Sequence, residues 1–137
     1  MPYLLDSDSA SLALNGNERV RGRIQAQAPD VWLSVIAAEE MTRGMLGLIN
    51  KNRDKASLTA DYNFLTRLLN YFCEYRIHPY DNQAALVYAS FSAQVKRVGP
   101  QDCRIAASAI AAEWIVVTAN RKDFSRIPGV QFEDWSR

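Results

Sequence analysis

Short apolar runs alternate with longer amphipathic segments along the 137-residue chain, and that alternation leaves few architectures open. The runs are Pro2–Asp6 (PYLLD), Val31–Ser34 (VWLS), Tyr75–Pro79 (YRIHP), Trp114–Thr118 (WIVVT) and Val130–Phe132 (VQF). Each is short, apolar and bounded by turn-forming or polar residues, so each reads as a strand. Helices are expected over Ser7–Asn15, Glu18–Gln27, Val35–Asn50 and Ser57–Glu74. Val35, Ala38, Met41, Met45, Leu48 and Ile49 fall near one face of the third of these. Asp81 suits the cap of a helix carrying Ala85, Tyr88 and Val95, which Gly99-Pro100 breaks. Asp102 then opens a helix rich in small residues. The pattern predicts a single α/β domain over residues 1–137, with a parallel central sheet of four to five strands flanked by helices. WIVVT, the most hydrophobic run, is expected at the centre of the sheet, and Val130–Phe132 at its edge.

In such a sheet the ligand crevice lies outside the carboxyl ends of the strands, and acids sit there. Asp6 ends the first run and Asp8 follows it. Glu39 and Glu40 lie early in the helix after VWLS, Asp102 at a helix start, and Asp123 a short loop after WIVVT. Gathered at one crevice, these carboxylates repel one another and call for a cation. Hard oxygen ligands suit Mg²⁺ or Mn²⁺, which can activate water and stabilise charge on a phosphodiester. Each acid also has a plain structural reading: Asp102 or Asp8 as a helix cap, Glu39 or Glu40 as a solvated helix acid, Asp123 as a loop acid. Periodicity alone does not choose between Glu39 and Glu40.

Composition excludes several classes. The net charge is +1, so RNA binding needs a local basic patch. Cys73 and Cys103 form no C-x-x-C pair and read as reduced, mostly buried thiols of a cytosolic protein. No stretch approaches the roughly 20 apolar residues of a membrane helix, and MPYLLDSDSA lacks the basic start of a signal peptide. His78, the one histidine, lies in a strand and is expected to be structural. Trp32 and Trp114 are expected to pack in the core.

LLDSD, LSVIAAEEMTRG, GPQDCRIAASA, WIVVTANRKDF and IPGVQFEDW stand in the order found in VapC-type PIN-domain ribonuclease toxins, and the chain resembles that family along nearly its whole length. The resemblance implies divalent-metal-dependent RNA cleavage, with Asp6, Glu40, Asp102 and Asp123 as catalytic and metal-binding acids. The family's glutamate precedes a Leu or Met and an Arg-Gly, which selects Glu40 over Glu39. Ser7, Thr118 and Asn120 match its supporting polar residues. Asp8 replaces a usual asparagine and becomes a further metal-ligand candidate, and Asn120 is the alternative to Asp123 for completing the site. Mg²⁺ is the implied cofactor, with Mn²⁺ possible. Arg43, Arg104, Arg121 and Lys122 are candidates for holding phosphates. The implied partners are an RNA substrate, a cognate VapB-type antitoxin and a second copy of the chain in a homodimer.

Other readings remain. LLDSD also fits the D-x-D of a haloacid-dehalogenase-like phosphatase, but Ala119–Arg137 is too short for that family's remaining lysine and acidic pair. A receiver domain would need a lysine ending its last strand, and QFEDW has none. A PIN-like fold used only as a binding platform is the third possibility, and retention of all four acids argues against it.

Overall fold

The computed structural model describes residues 1–52 and 54–137. Its centre is a five-stranded, all-parallel sheet in the order β3-β2-β1-β4-β5. The strands are β1 (Tyr3–Leu5), β2 (Val31–Ser34), β3 (Arg76–His78), β4 (Ile115–Val117) and β5 (Gln131–Glu133). Leu4, Leu5, Leu33, Val116 and Val117 are fully buried, as expected of parallel strands covered on both faces. Each such side chain contributes on the order of 1.5–3 kcal/mol of burial free energy. β1, not β4, is the central strand; β4 lies between β1 and the edge strand β5. Residue hydrophobicity reports burial on both faces, which β1 and β4 share, so it does not rank them.

The helices are α1 (Ser7–Leu14), α2 (Glu18–Gln27), α3 (Val35–Lys51), α4 (Lys55–Phe72), α5 (Asn82–Ser90), α6 (Ala93–Lys96), α7 (Pro100–Ala112) and α8 (Arg121–Phe124). The Asp81 side chain accepts from the Ala84 N–H at 2.9 Å and caps α5. The single helix expected from Asp81 to Val95 is two: α5 ends at Ser90, and Ser92 caps α6 by accepting from the Val95 N–H. α7 starts at Pro100 rather than Asp102, because proline suits the first helical position. Gly99 precedes it at φ 149°, a backbone angle that L side chains rarely adopt, and so sets the angle at which α7 enters.

The chain builds β1, β2 and β3 in one direction, then returns to place β4 and β5 on the other side of β1. The switch point therefore lies between β1 and β4, where an open parallel sheet forms its crevice.

Trp32 and Trp114 pack against the core with ring centroids 5.2 Å apart, and the His78 ring stands 4.6 Å from Trp114. Burial pushes the His78 pKa down, and its Nδ1 is buried without a hydrogen-bond partner among the described residues. Trp135, not expected in the core, is among its most buried members; its Nε1 donates to Glu133 Oε1 at 2.9 Å, and Tyr3 packs on it edge-on. Cys103 is buried but Cys73 is exposed, which corrects the expectation of mostly buried thiols; neither is in a disulfide. Cys73 caps the end of α4 at the surface, so the apolar period of that helix does not reach it.

Candidate active site

Strand register puts Asp6 and Thr118 side by side. Leu5 pairs with Val117, and the Asp6 N–H donates to the Val117 carbonyl at 3.1 Å. Asp6 directly follows β1 and caps α1: its Oδ1 accepts from the Ser9 N–H at 2.8 Å. It is 2% exposed. Burial pushes its pKa up to about 7, against the opposing pull of the Thr118 hydroxyl and the Ser9 N–H. Asp8 does not cap the helix; it lies exposed in the first turn of α1.

Glu39 and Glu40 separate by partner. Glu39 accepts from Gln101 Nε2 at 2.6 Å and forms an ion pair with Arg43 one turn on. Glu40 Oε1 accepts from the Ser7 hydroxyl at 3.3 Å, which ties α3 to the start of α1. Burial raises the Glu40 pKa, and the charges of Asp102, Asp8 and Glu39 add to that. Asp102 stands in the first turn of α7; burial raises its pKa, reinforced by Asp123 and Asp8. The positive end of the α7 dipole favours its ionised form. Asn120 joins this pair: its Nδ2 donates to Asp123 Oδ2 at 2.8 Å and to Asp102 Oδ2 at 3.2 Å. Its own N–H donates to the fully buried Thr118 Oγ1 at 2.9 Å.

Asp6, Glu40, Asp102 and Asp123 thus come together with Ser7, Thr118 and Asn120 at the carboxyl ends of β1 and β4. Asp8 joins them, since its charge acts on Asp6, Glu40 and Asp102 alike. Among the described residues no Lys or Arg forms a salt bridge with any of these acids. No three of the described carboxylates close tightly enough to enclose an ion directly. The donor set is carboxylate, carboxamide and hydroxyl oxygen with no thiol or imidazole. It fits a hard divalent cation that keeps part of its water shell.

The candidate phosphate holders divide. Arg43 is engaged with Glu39, and Arg104 donates to Gln101 Oε1 at 2.6 Å. Arg121 and Lys122 open α8 and are exposed. That four-residue helix escaped sequence reading because it is shorter than one amphipathic repeat. Gln101 also went unnoticed, although its place beside Asp102 in a helix start was a usable signal. A cleft of about 830 Å³ lies elsewhere, between α1, α2 and α4. Its lining includes Arg21, Arg67, Tyr71 and Tyr75, with Glu74 its only acid.

The family model described as "PIN domain" matches residues 3–130. The tRNA(fMet)-specific endonuclease VapC of Salmonella typhimurium is 29% identical over 140 residues, covering 98% of this chain and 98% of that protein. The crystal structure of DNA-bound VapBC from Salmonella typhimurium is similar at TM-score 0.78 and 26% identity, over 98% of both chains. FitAB bound to an IR36 DNA fragment is similar at TM-score 0.72 and 27% identity, over 98% of this chain and 96% of that one.

Proposed function

The chain belongs to the PIN-domain family, and from that premise we propose that it is a divalent-metal-dependent ribonuclease, the toxin partner of a VapB-type antitoxin, acting in the cytoplasm. The observation that carries this reading is the convergence of Asp6, Asp8, Glu40, Asp102 and Asp123 with no basic partner among the described residues. Asp6, Glu40, Asp102 and Asp123 are the proposed metal ligands, with Asp8 as a further acid on the same ion. VapC nucleases of this family depend on a metal; for this oxygen set Mg²⁺ is the proposed ion, with Mn²⁺ the alternative.

Bound there, the ion supplies Lewis-acid activation of water and neutralises charge building on the phosphodiester. The chain's own residues do the positioning. Ser9 fixes the Asp6 carboxylate through its N–H, and the Thr118 hydroxyl also acts on it. Ser7 orients Glu40. Asn120, held by Thr118, keeps Asp102 and Asp123 in register. Burial and the neighbouring acids raise the Glu40 and Asp102 pKa values, and a bound cation would favour their ionised forms. Exposed Leu46 and Leu48 on α3 and Leu69 on α4 offer apolar area for the homodimer we expect.

The test is cleavage of RNA by the purified chain. Activity should vanish in EDTA and return with Mg²⁺ or Mn²⁺. Asp102→Asn keeps shape and removes charge, and should lower kcat/KM by about two orders of magnitude. Full activity in EDTA would overturn the reading.

A further inference from the structure

Beside the crevice, on α5, α6 and α7, two cations share one aromatic ring. Lys96 Nζ lies 4.9 Å from the Tyr88 ring centroid, and the Arg104 guanidinium carbon lies 5.4 Å from it. Attraction to the ring draws each cation in, while the two positive charges repel. Among the described residues no carboxylate forms a salt bridge with either. Tyr80 stands close to Arg104, whose charge opposes the upward push that burial gives the Tyr80 hydroxyl. All four residues are half-buried, so packing rather than solvent sets their positions.

A hydrogen-bonded path joins this cluster to the acids. Arg104 donates to Gln101 Oε1 and Gln101 Nε2 donates to Glu39, each at 2.6 Å, and Glu39 is next to Glu40. Arg104 follows Asp102 by two residues, about 3 Å along the axis of α7 and about 200° around it, so Gln101, not a shared helix face, links the cluster to the acid side. A polyanion approaching the acids is repelled by them until a cation is bound, so an attachment point of opposite sign at the rim is what such a substrate needs. Paired cations with tyrosine rings combine backbone attraction and base stacking, the two means by which single strands are held.

We propose that Lys96, Arg104, Tyr88 and Tyr80 form a subsite for single-stranded RNA next to the crevice. Lys96 and Arg104 hold the phosphate of a nucleotide neighbouring the scissile one, and Tyr80 offers its ring to the adjoining base. This rests on the ribonuclease reading and extends it to how the substrate is held.

The experiment is fluorescence anisotropy with a labelled oligouridylate in EDTA, titrated at several salt concentrations, so that binding is read without cleavage. For single strands each lost phosphate contact lowers the slope of log K against log salt by about 0.7. Since the two cations share one phosphate, Lys96→Gln and Arg104→Gln should each lower it by part of that amount and the double variant by about 0.7 in all. Arg104→Lys should restore most of it. Thermal melts check folding, and Lys96→Gln, at the end of the short α6, keeps the test open if Arg104→Gln melts early. An unchanged slope and affinity in the double variant overturns the subsite. A native chain that cleaves no RNA, yet whose slope falls in the variants, overturns the ribonuclease reading and leaves the subsite standing.

Discussion

The first turn of α7 separates two regions of like charge and opposite sign. On one side Asp6, Asp8, Glu40, Asp102 and Asp123 gather without a salt bridge among the described residues, and the hydrogen-bond donors to four of them are neutral. On the other Lys96 and Arg104 rest on Tyr88. The chain as a whole has a net charge of only +1, so the imbalance is one of arrangement. Elsewhere opposite charges pair, as in Arg23–Glu133 and Arg137–Asp134. Like charges held together in the folded state cost stability, and a bound ion of opposite sign offsets that cost. The contrast teaches that the acids and the bases lack complementary things: a cation for the first, a polyanion for the second. Glu39 marks the border, since it is ion-paired with Arg43 and accepts from Gln101 while its neighbour Glu40 faces the acids.

The largest effect that would break this comparison lies in that neighbouring pair. Glu40→Gln removes a charge the crevice uses and should lower kcat/KM for RNA about 100-fold, or about 2.7 kcal/mol of transition-state stabilisation. Glu39→Gln loosens a half-exposed ion pair worth roughly 0–1 kcal/mol and should cost no more than about fivefold. Steady-state kinetics on one RNA at fixed Mg²⁺ decides. Equal losses would mean that the border between the regions is not where the hydrogen bonds draw it.

The sheet and the acids at its switch point were legible because both are written in short local signals. An apolar run ending in an acid, such as LLD, fixes a buried strand and the position of its terminal side chain together. Glu39 and Glu40 were not separable by helical period, since both lie beside the apolar face; what divides them is contact with Gln101 and Ser7, residues 62 and 33 positions away. The break between α5 and α6 carried a usable signal in Ser92, a residue that favours caps, but the apolar period running to Val95 masked it. Trp135 sits beyond the last strand, where sequence gives no period; its burial depends on Tyr3 and Glu133 meeting there. The Tyr88 cluster was the least legible, because its cations come from different helices and only tertiary packing joins them.

A smaller effect sharpens the acidic half of the comparison through stability. An unfolded aspartate gives up its proton near pH 4, whereas Asp6 in the folded chain holds it until about 7. Between these values the folded state carries the extra proton, so the Asp6 contribution makes stability fall as pH rises from about 4 to about 7 and then level off. Asp6→Asn removes that proton exchange while keeping a residue that caps helices well. In EDTA the variant's melting temperature minus the native one should therefore be smallest near pH 4 and grow until about pH 7; taking the difference cancels most of what His78 and Asp134 contribute with opposite sign. A divalent ion near ten times its Kd should then raise the native melting temperature by roughly 3–8 °C, equivalent to about 1.4 kcal/mol. The variant, having lost a ligand, should gain less. Thermal melts at matched ionic strength with and without Mg²⁺ read both quantities. If the difference stays flat with pH, the Asp6 carboxyl is not held neutral by burial; if Mg²⁺ lifts both proteins equally, Asp6 is not part of the ion's site, and the acidic region loses the feature that sets it against the basic one.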